Sequence, residues 1–406
     1  MKYIVLIGDG MPDYPLPDHG GKTPLQLART PHMDRLAREG STGAAGTVPQ
    51  GFPPGSDVAN LSLFGYDPVR YYTGRAPLEA VSMGVPLGPK DTAFRCNLVT
   101  LRAAANGVVM EDYSAGHIST EEARDLILSV NDKMATDEIQ FHPGVSYRHL
   151  MVWKGRDFSS LALTPPHDIS GRDIREFLPR GNAGGGELLE LMNSSQLVLK
   201  PHKLNQKREK EGKRPANSIW LWGQGARPSV PTFRERFGLE GAVISAVDLL
   251  KGIGICAGFE SINVPGATGY LDTNYQGKVE AALRALEKKD IVFLHIEAPD
   301  EAGHQGSLEA KIQAIEDFDA KVVGEIMRGM EKFGDYRILL VADHPTPISI
   351  KTHASDPVPF AVFPAVGEGI GRGAGAFDES ICRTGKLSFP EGYRLMEAFI
   401  SGNFPN

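Results

Sequence analysis

DIVFLHIEAPD, residues 290–300, decides the fold. Its core is a continuous apolar run, without the polar alternation of a half-exposed strand. It reads as a strand buried on both faces, the kind found in parallel sheets. The run stops at acids, Glu297 and Asp300. Two other runs share the design. YIVLIGDG (residues 3–10) ends at Asp9, and RILLVADH (residues 337–344) ends at Asp343 and His344. Helical patterns lie between or after them: TPHMDRLAREG (residues 30–40), GKVEAALRALEKKD (residues 277–290) and KIQAIEDFDAKVVGEIMRGMEKFG (residues 311–334). Strand–helix alternation implies an α/β layer fold. Open α/β sheets bind ligands outside the carboxyl ends of their strands. All three acid-bearing ends fall there.

The chain has 406 residues, beyond the size at which a single core usually stops growing, so two domains are expected. The first strand lies far from the other two, and the segment between has a different texture. FRCNLVTLRAAANGVVMEDY (residues 94–113) is hairpin-like. STEEARDLILSVNDKM (residues 119–134) opens with Ser119 and Glu122, a capping box for a helix. SYRHLMVWKG (residues 146–155) is strand-like, and GNAGGGELLELM (residues 181–192) carries a glycine-rich break before a helix. Residues 88–212 therefore read as a smaller α+β domain inserted into an α/β domain built from residues 1–87 and 213–406.

Composition narrows the partners. With 41% hydrophobic and 23% charged residues the chain is an ordinary globular one. A net charge of −7 and a pI of about 5.9 offer no basic stripe to neutralise a nucleic-acid backbone. The one basic run, KPHKLNQKREKEGKR (residues 200–214), is interrupted by acids and reads as a solvated helix or loop. Cys96, Cys256 and Cys382 are scattered, which argues against a disulfide framework or thiolate zinc site and for a reducing, cytoplasmic setting. MKYIVLIGDGMPD reads as a first strand and not a signal peptide, and no apolar segment reaches the roughly 18 residues of a membrane span.

Chemistry gathers at the strand ends. In APDEAGHQG (residues 298–306), Asp300 and His304 are four apart and share a helical face. Asp343 and His344 are adjacent in VADHPTP, His353 lies in KTHASDPVPF, and Asp9 follows the first run. Singly these are weak signals: Asp9 suits a helix cap, and a lone loop histidine is usually just exposed. Together they make three carboxylates and three imidazoles on one sheet edge, the oxygen and nitrogen set that suits Zn²⁺ or Mn²⁺. Six ligands exceed what one catalytic ion takes, so two ions are the economical reading. Paired metals are the usual apparatus of phosphoryl transfer. GFPPGSDVANLSLFGYDP (residues 51–68) then gains meaning. Ser56 sits between Gly55 and Asp57 at the head of a helical pattern. It is either a helix cap or a hydroxyl that a metal activates as a nucleophile, and a helix N-terminus welcomes a phosphoryl group.

With GDGMPD, KTPLQLARTPHMDRLAREG, PPGSDVANLSLFGYDP, TGRAPLEA, AFRCNL, AGHISTEEA, PGATGYLDTN, PDEAGH, ADHPTP and HASDPVPF, the chain resembles the alkaline phosphatase superfamily of metalloenzymes nearly end to end. Within it the match is to the archaeal-type, cofactor-independent phosphoglycerate mutases. The resemblance implies a three-layer α/β/α domain with an inserted α+β domain that grips substrate and closes to exclude water. It implies Ser56 as the phosphorylated nucleophile. It places one ion on Asp9, Ser56, Asp343 and His344, and the other on Asp300, His304 and His353. Mn²⁺ or Zn²⁺ would fill these sites, with Mg²⁺ and Co²⁺ also compatible. The reaction it implies moves a phosphoryl group to Ser56 and back onto the other hydroxyl of glycerate, interconverting 3- and 2-phosphoglycerate without bisphosphoglycerate. A phosphorylated acid would be met by Arg or Lys; the candidates are Arg75, Arg95, Arg148 and Lys251. His117 would shuttle a proton or hold a carboxylate. Two positions depart from the pattern, since arginine is common where this chain has His117 and Trp222. A related, mostly bacterial branch, proposed to act as homoserine kinase, shares PGSDVANLS, APDEAGH and ADHPTP. A kinase-like phosphotransferase with the same serine and ions is therefore the alternative, followed by a metal-dependent phosphomonoesterase.

Overall fold

The apolar runs do become strands, and their order in the sheet explains why the ligands meet. The computed structural model describes residues 1–105, 107–181, 184–366 and 374–404. In chain order the strands among them are β1 (Lys2–Gly8), β2 (Ser41–Ala45), β3 (Thr92–Ala104), β4 (Gly107–Asp112), β5 (Ile139–His142), β6 (Arg148–Trp153) and β7 (Ser218–Ala226). There follow β8 (Gly241–Ile244), β9 (Glu260–Ser261), β10 (Ile291–Ile296), β11 (Tyr336–Val341), β12 (Val358–Phe363) and β13 (Leu387–Phe389).

The chain forms two compact units, Met1–Tyr72 with Ser229–Asn406, and Thr73–Pro228. The first holds an eight-stranded sheet in the order β13-β2-β12-β11-β1-β10-β8-β9. Every pairing is parallel except those of β12, which runs antiparallel to both β11 and β2. The three strands that end in acids are neighbours, β11-β1-β10. Ile4 to Ile7, Ile291 to Leu294 and Ile338 to Val341 are fully buried, as two-sided coverage requires. Because β12 is reversed, its start at Val358 lies at the carboxyl end of β11, with Phe360 opposite Val341. The loop carrying His353 therefore arrives at the same edge as Asp343. Strand β2 ends there as well, with Ala45 opposite Val358, and leads into the Ser56 segment.

The helices follow their sequence signals. Pro31–Glu39 starts on a proline and stops at Gly40. The pattern of residues 311–334 forms helix Leu308–Phe318, a π turn at Asp319–Val323 and helix Gly324–Met330. The buried Asp319 accepts the N–H groups of His32 and Met33, closing the start of helix Pro31–Glu39.

The second unit is wider than the insert at 88–212 read from sequence. Strand β7 pairs with β3 along Thr92–Val99, and helix Arg75–Ser82 packs on the same two strands. Both lie outside the expected bounds because strand pairing over such separations leaves no local trace. The sheet runs β4-β3-β6-β5, with β7 also on β3, and all its pairings are antiparallel. Helices Thr120–Met134, capped by Ser119, and Gly185–Leu199 cover its core, which includes Phe94, Leu126, Phe158 and Trp220. Three residues of the quoted segments, Asn106, Asn182 and Ala183, lie outside the described residues. The basic run departs from its reading in one respect. It forms helix Lys203–Lys210, but Arg208 is buried, paired with Glu122 and donating to the carbonyl of Ala115 at 2.8 Å.

Candidate metal centre and nucleophile

Asp9 is the residue directly after β1, and its N–H still bonds the carbonyl of Ile296 at 2.9 Å, so the β1–β10 ladder holds it. Asp300 and His304 lie on helix Ala298–Gln305, which begins two residues after β10. Two close approaches bring these ends together. Gly10, at φ +62°, has no room for a β-carbon: one would lie 2.6 Å from Thr346 Oγ1 and 2.7 Å from Asp300 Cα. A β-carbon at Gly303 would lie 2.4 Å from the Thr346 carbonyl. Glycines in GDG and EAGH thus let the loop after β1, helix Ala298–Gln305 and the loop after β11 close on one another.

The seven expected residues of this edge do come together. His304 Nε2 lies 3.2 Å from Asp300 Oδ2 and 3.0 Å from His353 Nε2, which is 3.5 Å from Asp300 Oδ1. His344 Nε2 lies 3.7 Å from Asp9 Oδ1, 3.4 Å from Asp343 Oδ2 and 3.0 Å from Ser56 Oγ. Donor atoms of Asp300, His304 and His353 lie within 4.8 Å of one another, as do those of Asp9, Asp300 and His344, and of Asp9, His295 and Asp343. Outer contacts orient them. His304 Nδ1 lies 3.0 Å from the Lys351 carbonyl. Asp343 accepts from the N–H groups of Gly10 and His344 and from Asn60 Nδ2. Thr346 Oγ1 donates to Asp300 Oδ1 at 2.5 Å.

The electrostatics are those of a site that wants cations. Burial, then the carboxylates of Asp343 and Asp300, push the Asp9 carboxyl well above its ordinary range. Burial also opposes ionisation of Asp300, but hydrogen bonds with His304 and His353 outweigh it and hold that carboxyl well below its usual range. Burial pulls the His304 imidazole down, yet its bond to Asp300 wins and raises it to about 9. His344 is lowered by burial. Asp9 Oδ1 is buried with no hydrogen-bond partner, and so is Asn60 Oδ1. An orphaned carboxylate oxygen facing imidazole and carboxylate donors is what a divalent ion would satisfy, so the residues fit the metals that the resemblance implies.

Ser56 is the first residue of helix Ser56–Leu63, and the N-cap position is Gly55. The hydroxyl is therefore not spent on capping; it faces His344 Nε2. Gly55 is constrained by the residue that follows Ser56. A β-carbon there would lie 2.8 Å from Asp57 Oδ1, whose carboxylate accepts from Val58 N and from the Tyr72 hydroxyl.

Sequence reasoning passed over His295, although it interrupts the apolar run that fixes the fold. It is fully buried, with Nε2 2.9 Å from Asp9 Oδ2 and Nδ1 3.1 Å from Ser245 Oγ. Burial lowers it to about 3, so it is neutral, and its partners assign the Nε2–H tautomer donating to Asp9. Asn60 and Thr346 were also missed. A polar residue inside an apolar strand is the one signal that pointed to His295.

The expected substrate contacts divide between the two units. Lys251 belongs to the first unit, on helix Asp248–Cys256, 3.5 Å from Asp248. Arg75, Arg95, Arg148 and His117 belong to the second. Arg75 and Arg95 each lie 3.2 Å from Glu79. Arg95 is buried, its guanidinium 4.6 Å from the Trp222 ring, and burial lowers it to about 10. Arg148 is exposed over Tyr147 at 5.2 Å. His117 is exposed, in a positive-φ turn beside Tyr113 and Tyr147. His167, which the sequence reading did not single out, joins Tyr113 and Trp222.

The family profile described as 2,3-bisphosphoglycerate-independent phosphoglycerate mutase matches residues 37–205. A probable 2,3-bisphosphoglycerate-independent phosphoglycerate mutase of Geobacter sulfurreducens is 61% identical, covering 98% of this chain and 100% of that protein. The 2,3-bisphosphoglycerate-independent phosphoglycerate mutase of Methanosarcina acetivorans is 58% identical over 89% of this chain and 90% of its own length. Among solved structures, a protein of Pyrococcus horikoshii superposes with a TM-score of 0.80 at 29% identity, covering 100% of this chain and 98% of that one. A cofactor-independent phosphoglycerate mutase from Thermoplasma acidophilum gives 0.61 at 27% identity, with 99% of each chain covered.

Proposed function

The chain belongs to the family of 2,3-bisphosphoglycerate-independent phosphoglycerate mutases, and we propose that it interconverts 3- and 2-phosphoglycerate by passing the phosphoryl group through Ser56. The observation that carries this reading is the Ser56 hydroxyl, free of capping duty and 3.0 Å from His344 Nε2. It stands at a helix N-terminus beside three carboxylates and three imidazoles.

Asp9, Ser56, Asp343 and His344 would hold one divalent ion, and Asp300, His304 and His353 the other. Their donors suit Mn²⁺ or Zn²⁺, with Mg²⁺ and Co²⁺ in the same class. Bound ions would supply Lewis-acid stabilisation of the transferring group and lower the pKa of the serine hydroxyl. The chain's own residues do the rest. Ser56 Oγ forms a bond to phosphorus as the bond to O3 of the substrate breaks, and the serine proton ends on that leaving oxygen. In the return step O2 of glycerate takes the phosphoryl group, and its proton restores the Ser56 hydroxyl. No phosphoryl donor is consumed. Asn60 and Thr346 keep Asp343 and Asp300 in place through both steps. We assign the binding of the substrate's carboxylate and phosphate to Arg75, Arg95, Arg148, His117 and Lys251. The setting we propose is the cytoplasm, with a small phosphorylated metabolite as the partner.

The test is an enolase-coupled assay with Mn²⁺, 3-phosphoglycerate and no bisphosphoglycerate. Turnover is expected. No turnover, together with ATP-dependent phosphorylation of homoserine by the same preparation, would replace the mutase with the kinase-like alternative.

A further inference from the structure

Beneath the ligand cluster lies an ion pair that none of the assigned roles uses. Lys311, on helix Leu308–Phe318, and Asp13, in the loop after β1, have fully buried side chains 2.8 Å apart. An ammonium has three donors, and Lys311 spends all of them: on Asp13 Oδ2 at 2.8 Å, the Thr346 carbonyl at 2.7 Å and the Pro12 carbonyl at 3.3 Å. Asp13 in turn accepts from the N–H groups of Tyr14 and Ile348. Thr346 N also donates to the Pro12 carbonyl at 3.2 Å. The loop after β1, which begins with Asp9, and the loop after β11, which carries Asp343 and His344, are thus tied together at one nitrogen.

What that nitrogen holds matters. The hydroxyl of Thr346 touches Asp300 Oδ1 at 2.5 Å and His344 Nδ1 at 3.2 Å. Asp300 belongs to one assigned ion group and His344 to the other, so Thr346 links both and Lys311 pins Thr346 by its carbonyl. A buried ion pair is a poor stabiliser against an apolar pair of the same volume, so stability alone does not account for it.

We propose that Lys311 is a positioning residue, which fixes Thr346, and through it Asp300 and His344, in the arrangement that takes the metal ions. The inference rests on the two-ion reading above. Its test is calorimetric titration of Mn²⁺ into metal-stripped protein, for wild type, the double variant K311M/D13N and T346V. The double variant removes both charges, so no buried carboxylate is left unpaired. Its metal-free melting temperature is expected to stay close to wild type, while Mn²⁺ affinity falls about tenfold or more. The coupled assay is expected to show a lower kcat with an unchanged KM. T346V keeps the carbonyl that Lys311 binds and loses only the hydroxyl; the same loss of affinity is expected, and it decides the matter if the double variant does not fold. Wild-type Mn²⁺ affinity in T346V, or in a folded double variant, would overturn the proposal. A wild-type protein that takes up no Mn²⁺ would instead overturn the two-ion reading itself.

Discussion

At the residue scale the site gathers buried carboxylates whose mutual repulsion a bound cation would relieve. Asp9, Asp300 and Asp343 are buried at one edge, and burial with mutual repulsion pushes Asp9 up. Removing one negative charge should therefore cost the metal-free protein little and the loaded protein much. For Asp343→Asn, the melting temperature of stripped protein is expected to hold, while the rise that Mn²⁺ gives wild type is lost. A ligand at about 100 times its dissociation constant stabilises by about 2.7 kcal/mol; thermal scans with and without Mn²⁺ read that increment, and an undiminished rise in the variant would remove Asp343 from the ligands. Asp9, Asp300, His304, Asp343 and His344 were legible because each ends an apolar run or sits within four residues of another. Asn60, Thr346 and Lys311 were not, because their meaning comes from contacts across the fold: Asn60 meets Asp343, and Lys311 meets Asp13. No local pattern marks such pairs.

Among the elements, the decisive feature is the order β2-β12-β11-β1-β10 with β12 reversed. The sequence shows that three strands end in acids, but the reversal of β12, which delivers the His353 loop, is settled by pairing alone. Helix Ala298–Gln305 must then lie hard against the β11 loop at Gly303. A methyl group there meets backbone, which cannot swing away as a side chain can. Gly303→Ala is accordingly expected to push Asp300 and His304 away from the other ligands and reduce activity at least tenfold, as small misplacements of catalytic groups do. Wild-type kcat and Mn²⁺ affinity in that variant would contradict the close approach. The same blindness to pairing explains the insert boundaries: β7 returns to β3 from more than a hundred residues away, and the basic run hid a buried Arg208 held by Glu122 and the Ala115 carbonyl.

For the whole molecule, two compact units and a mostly parallel sheet in the first give an α/β enzyme whose relatives match it over nearly its entire length. Among the described residues no helix is long and apolar enough to cross a membrane. Acid stability belongs to this scale. In the second unit, burial lowers His149 to about 3, and its Nδ1 accepts the Gly144 N–H at 3.0 Å. The unfolded chain binds a proton there near pH 6.5 while the folded chain refuses it. The part of the stability that His149 contributes is therefore full above about 6.5 and falls by about 1.4 kcal/mol per pH unit as pH drops toward 3. His149→Gln, which offers Gly144 a neutral acceptor, is expected to flatten this limb in denaturant titrations at pH 4 and 7; an unchanged slope would show that other groups set it.

In the mechanism we propose, Ser56 carries the phosphoryl group between the two hydroxyls of glycerate. The most direct measurement is to quench the protein during turnover of 3-phosphoglycerate labelled in its phosphoryl group, with Mn²⁺ present, and to map the label by peptide mass spectrometry. Phosphate on Ser56 is expected, with neither label nor turnover in a folded Ser56→Ala variant; turnover that persists in that variant would remove Ser56 from the phosphoryl path.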